Sequence, residues 1–214
     1  LCHEVLIWRG LWHRYVLPCL GVDTELFGPL YICMVSPYMD CGTIVEYCED
    51  NDLTANEIDL ILNQVALGLA YLHCENVVHG DLRGANILMN DQGHCQLADF
   101  GLAAFAEATK GAYTTTNSRP GSTRWMAPEL LFPERFGIVG TRRTCATDIF
   151  SYGCVCIEIH TGSLPFYDLS ADPAIIRRIL AGEHPQPPPG KGLPLKTRNI
   201  AEKCWRTTPD TRPT

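Results

Sequence analysis

Apolar residues recur at Ile58, Ile61, Leu62, Val65, Leu69 and Leu72. Steps of three and four place them on one stripe of a helix. Thr54 stands just ahead, with Glu57 three residues further on. A threonine and a glutamate at that spacing can satisfy each other's backbone amides at a helix start. The pattern predicts a helix from Thr54 to about His73. A second apolar stretch, TDIFSYGCVCIEIHTG, has almost no polar face, which predicts a helix buried in the middle of a domain. Gly162 is placed to end it.

Shorter patterns fill in the remainder. Val5, Leu6, Trp8 and Leu11 suit a short helix with Glu4 near its start. VLPCLGV and LYICMVSPYM are β-rich runs separated by the turn-like DTELFGP, so they predict a hairpin. DCGT then breaks the pattern. ANILMNDQGHCQLAD reads as two short strands about Asn90–Gly93. From Gly101 to Arg124 the chain is polar and turn-rich, and a loop of that length in a domain is usually functional. Asp172 or Pro173 opens another helix to about Leu180. HPQPPPGKGLP is a proline-rich loop, and a last helix covers about Leu195 to Trp205.

Composition narrows the class. With 214 residues, 46% hydrophobic and 19% charged, the chain can bury a real core. A net charge of −7 and the lack of a lysine or arginine cluster argue against a nucleic-acid surface. No apolar run is long enough to cross a bilayer, so no membrane segment is expected. The 11 cysteines are odd in number and lack metal-ligand spacing. They read mostly as small buried hydrophobes in a reducing, cytoplasmic setting.

Three side chains then carry the chemistry. Asp81 and Asn86 share a loop after the first long helix, and Asp99 ends the hairpin that follows. Carboxylate and amide oxygens are hard donors that suit Mg²⁺, which is held by few protein groups together with phosphate oxygens. A carboxylate off the metal can orient and deprotonate a hydroxyl. Those are the parts phosphoryl transfer needs.

The stretch VVHGDLRGANILMNDQGHCQLADFG, with APE further on, resembles the catalytic core of eukaryotic protein kinases. HGDLRGAN is similar to the catalytic loop H-R-D-x-x-x-x-N, DFG is the metal motif, and APE closes the activation segment. The resemblance implies an α+β protein-kinase-like fold, with a truncated N-lobe over residues 1–39 (the C-helix and two strands) and a largely helical C-lobe over 40–214. It implies ATP and Mg²⁺ as cofactors and a protein as substrate. It makes Asp81 the catalytic carboxylate, Arg83 the group that neutralises the γ-phosphate, and Asn86 and Asp99 the metal ligands. Ser36 falls at the gatekeeper position, Met39 would offer backbone groups to adenine, and Leu88 would lie under the ring. Glu4 matches the C-helix glutamate. His79 and Phe100 would pack in the core and set the loop's shape, and Ser122 would reach towards Asp81. Asp148 matches the helix aspartate that holds the catalytic loop, and Arg212 the partner of Glu129.

The pattern also breaks in two places. Gly80 stands where the family commonly has the arginine that grips a phosphorylated activation loop, so that receptor is lost. No Gly-rich loop or V-A-I-K lysine precedes Glu4, and an active kinase needs that lysine–glutamate pair. The expectation is therefore a fragment of a kinase, inactive by itself, with a truncated pseudokinase that serves as a binding scaffold as the alternative. GSTRWMAPE resembles the segment of serine/threonine kinases and of the tyrosine-kinase-like group, whereas DLRGAN is closer to the DLRAAN of some tyrosine kinases. The substrate-facing segment carries more weight, so serine/threonine specificity is expected, with tyrosine as the alternative.

Overall fold

The computed structural model describes residues 8–26, 28, 33–100 and 121–214. Residues 8–10 are helical, in the region where a first helix is expected, and Glu4 lies outside the described residues. Strands β1 (Gly21–Asp23) and β2 (Cys33–Val35) pair antiparallel, with Gly21 opposite Val35. This is the expected hairpin, shortened to three residues a side. Helix α1 (Ile44–Asp50) was not foreseen from the apolar pattern, because DCGT looked like a simple break. Its start was nevertheless legible: the Glu46 carboxylate accepts from the Thr43 amide at 2.7 Å, the same cap as at Thr54.

Helix α2 (Ala55–Cys74) follows the predicted stripe, with Ile58, Ile61, Leu62, Val65, Leu69 and Leu72 all buried. Strands β3 (Ile87–Met89) and β4 (Cys95–Leu97) form the second hairpin, with Ile87 opposite Leu97. Asn90 shapes its turn, its side-chain oxygen accepting from the amides of Gln92 and His94.

The hairpin does not stand alone. The Leu17 amide donates to the Leu97 carbonyl at 2.9 Å, and Leu97 donates to Tyr15 at 3.0 Å. On the other side Met89 donates to Gly42 at 2.9 Å. These bonds stitch the segment around Val16, the β3–β4 hairpin and the start of α1 into one unit. Gly68 on α2 makes this possible. A Cβ there would stand 2.6 Å from the Tyr15 carbonyl oxygen, too close for any side chain.

Helix α3 (Pro128–Leu131) is short, and α4 (Cys145–Thr161) is the buried helix, ending at Gly162 with φ +60°. Phe150, Cys154, Val155, Cys156 and Ile157 are each 2% exposed or less, so α4 meets protein on nearly every side. It packs against α6 (Leu195–Cys204), α2 and α1. Helix α5 (Asp172–Leu180) buries Ile175 and Ile179. Its bounds and those of α6 agree with the sequence reading. Of the expected loop from Gly101 to Arg124, residues 101–120 lie outside the described residues, and Ser122–Trp125 forms a 3₁₀ turn. Ten cysteines are described, all as free thiols; five are buried, while Cys74 and Cys145 are exposed. No helix among the described residues is long and apolar enough to cross a membrane.

Candidate active site

Asp148 lies in the first turn of α4 and is 1% exposed. One of its oxygens accepts from the Gly80 amide at 2.8 Å. The other accepts from the His79 amide at 2.8 Å and meets His73 Nε2 at 2.9 Å. A buried carboxylate is stable only with such partners. The result is mechanical: the loop carrying Asp81 is pinned by its backbone to the most buried helix. Gly80 takes φ +80° there, a left-handed conformation that glycine adopts without strain.

Asp81 and Asn86 are in direct contact, and the chain leading into Asp99 is tied to them through the backbone. Asn86 sits in a 3₁₀ turn before β3 and is buried. Its Nδ2 donates to the Asp81 carbonyl at 2.7 Å and to Asp81 Oδ2 at 3.1 Å. The Asn86 carbonyl in turn accepts from the amide of Ala98, the residue before Asp99, at 2.9 Å. Asp99 is exposed and takes φ +56°, a left-handed turn conformation. Arg83 Nε is 3.8 Å from Asp81 Oδ2.

His79 lies behind these groups, fully buried. Burial pushes its pKa down, against the upward pull of Asp148, Asp81 and Asp99. The imidazole is therefore neutral. Its Nδ1 accepts from the Asp81 amide at 3.3 Å, which leaves the proton on Nε2. Its ring meets Phe100 at 6.2 Å, and Phe100 meets Trp8 edge-on at 5.7 Å. The expected packing of His79 and Phe100 is thus present, and it continues into the region before β1.

Glu158 and Trp125 add a tie that the sequence reading missed. Glu158 Oε2 accepts from the Gly84 amide and from Trp125 Nε1, both at 2.9 Å. Burial raises the Glu158 pKa, with those two donors and Arg83 opposing. One carboxylate on α4 so holds the Asp81 loop to the turn that carries Ser122. The signal was a single acidic residue in the apolar run CVCIEI, since a charge there needs partners. Ser122 is buried and lines one hollow with Gly80 and Asp81. Arg212 pairs with Glu129 through both guanidinium nitrogens, one bond at 2.8 Å, and both side chains are 3% exposed or less. Arg212 also donates to the carbonyls of Ala146 and Arg206.

The expected adenine-side residues gather at the other edge. Met39 is buried in a small cluster with Leu17 and Ala98, against which Trp8 and Leu88 pack. Its carbonyl accepts from Gly42, while its N–H makes no hydrogen bond among the described residues. Ser36 is half-buried just before it.

Among the described residues no group of three or more His, Cys, Asp or Glu is placed to hold a metal. The Asn86 amide oxygen and the Asp99 carboxylate are hard oxygen donors of the type Mg²⁺ takes. Asn86 spends its nitrogen on Asp81, so its amide oxygen is the atom left for a cation.

A family model described as protein tyrosine and serine/threonine kinase matches residues 1–214. The chain is 34% identical over 182 residues, 85% of its length, to cell division control protein 7 of Schizosaccharomyces pombe. It is 33% identical over 99% of its length to the human serine/threonine-protein kinase TNNI3K. To the Arabidopsis thaliana serine/threonine-protein kinase STY46 it is 29% identical over 98%. The chain spans 16%, 24% and 34% of those proteins' respective lengths.

Proposed function

Because the chain belongs to the protein tyrosine and serine/threonine kinase family, we propose that it forms the catalytic-loop part of a protein kinase. In this reading the whole protein transfers the ATP γ-phosphate to serine or threonine hydroxyls of proteins. The observation that carries it is the Asp81–Asn86 contact at 3.1 Å on a loop clamped by Asp148. The serine/threonine preference is supported by the similarity to two serine/threonine-protein kinases and by the GSTRW segment. The division into an N-lobe remnant over 1–39 and a C-lobe over 40–214 belongs to the same proposal.

The roles follow from the groups present. Asp81 orients the acceptor hydroxyl and takes its proton as the oxygen bonds to the γ-phosphorus and the bond to the β–γ bridging oxygen breaks. Arg83 offsets charge on the transferred group. Asn86 and Asp99 would hold Mg²⁺, which supplies charge neutralisation on the phosphates. The Met39 N–H would offer a donor to adenine, Leu88 would lie under the ring, and Ser36 would take the gatekeeper position. Glu4 takes the C-helix role. His79 and Phe100 keep the loop in its working shape, and Asp148, Glu129 and Arg212 brace it. The free thiols suit a reducing compartment such as the cytoplasm.

The test uses the full-length protein, labelled ATP and peptides with Ser, Thr or Tyr acceptors. Label is expected on Ser and Thr. Asp81→Asn is expected to cut turnover by about 10²–10⁴-fold while Mg·ATP still binds, and Asp99→Asn to weaken Mg·ATP binding itself. Wild-type turnover by Asp81→Asn, or label confined to Tyr, would overturn the reading.

A further inference from the structure

Gly84 opens the 3₁₀ turn that ends at Asn86, and it has no room for a side chain. A Cβ there would stand 2.5 Å from Val45 Cγ2 on α1 and 2.9 Å from the Glu158 carboxylate on α4. Ordinary carbon contacts need about 3.5 Å, so one of the three elements would have to give way by about 1 Å. Gly84 is not among the left-handed glycines of the chain. Glycine is needed here for space, not for backbone conformation. DLRAAN, which the loop resembles, has alanine at this place, so the bar to a side chain lies in the neighbours of Gly84 and not in the loop sequence.

Neither neighbour yields cheaply. Glu158 Oε2 is held by the Gly84 amide and by Trp125 Nε1, both at 2.9 Å. Val45 is β-branched, so its χ1 is confined in a helix, and it packs against the main core. Helix α1 is itself tied at its start. The Gly42 amide donates to the Met39 carbonyl at 3.1 Å, the Met89 amide donates to the Gly42 carbonyl at 2.9 Å, and Thr43 bridges to Leu88. The element left to move is the turn, which follows Arg83 and carries Asn86. Helix α1 thus joins the Met39 and Leu88 edge to the loop of Asp81, and Gly84 is where they touch.

We propose that Gly84 is a positioning residue: by admitting Val45 it sets the spacing between the Met39–Leu88 edge and the Asp81–Asn86 loop. The proposal rests on the kinase reading for what that spacing serves.

The test is Gly84→Ala in the full-length protein, with Val45→Ala as its rescue. A misplacement of about 1 Å costs about 10²-fold in turnover, so kcat is expected to fall by about that factor while the peptide KM is unchanged. Adding Val45→Ala removes Cγ2 and reopens the space from the α1 side, so the double variant is expected to regain about tenfold, within the range of coupling between residues in contact. Amide hydrogen exchange reads the same contact without turnover. Gly84→Ala should speed exchange in residues 79–89 while α4 keeps its wild-type protection, and the double variant should slow it again. A fold that is merely destabilised loses protection in both regions. Wild-type kcat in folded Gly84→Ala, a double variant no better than the single one, or exchange that speeds equally in α4 would overturn the inference. If Gly84→Ala does not fold, recovery of folding by Val45→Ala supports the contact and failure to recover counts against it. A wild-type protein that transfers no phosphate counts against the catalytic reading alone, and the exchange arms then decide the inference.

Discussion

Replacing Asp148 with Asn changes one atom and tests the clamp on the catalytic loop. Asp148 offers two oxygens to three donors: the Gly80 amide at 2.8 Å, the His79 amide at 2.8 Å and His73 Nε2 at 2.9 Å. Asparagine has one oxygen. If that oxygen takes the place that serves two donors, the new NH₂ group points at the Gly80 N–H, and two donors face each other. One bond to a charged acceptor is lost and one buried N–H is left unmade, together a cost of about 2–4 kcal/mol. For a chain of this size each kcal/mol lowers the melting midpoint by about 2–4 °C, so a fall on the order of 10 °C is expected. Urea unfolding by circular dichroism measures the free energy, with Asp52→Asn as an exposed control. Turnover of the full-length protein should fall further than stability, because the loop that loses its anchor carries Asp81. A loss within about 0.5 kcal/mol of the control, the usual scatter for surface changes, would refute the view that Asp148 holds the loop.

Glu158→Gln keeps an oxygen for both the Gly84 and Trp125 donors, so near pH 7 its stability should stay within about 1 kcal/mol of wild type. Burial raises the Glu158 pKa, so between the unfolded and the folded value the native state holds more proton, and this group's contribution falls as pH rises. Glu158→Gln should remove that slope from a stability–pH profile measured from pH 4 upwards; an unchanged slope would exclude Glu158 as its source. Arg212→Met strands a buried carboxylate at Glu129 and should cost about 3–5 kcal/mol, most of it recovered in Arg212→Met with Glu129→Leu. A double variant as unstable as the single one in denaturant unfolding would contradict this. Gly80→Ala places a Cβ at φ +80° and should cost about 1–2 kcal/mol, whereas a gain in the melting midpoint would show that the left-handed conformation is not required.

Local periodicity carried most of the fold. The stripe of α2, the all-apolar α4 and the Asn90 turn could be read from spacing alone, because each depends on neighbours a few residues apart. The capping pair Thr43–Glu46 was equally local, and α1 was overlooked only because glycine and cysteine precede it. The motif residues of the site were legible too, since Asp81, Asn86 and Asp99 fall in a fixed order around one hairpin. What the chain order could not convey was which buried polar atoms meet. Asp148 reaches His79 and Gly80 across nearly 70 positions, and Glu158 joins Gly84 to Trp125. Such pairings follow from burial: a carboxylate inside the core must find donors, and packing of α4 against the loops decides which ones.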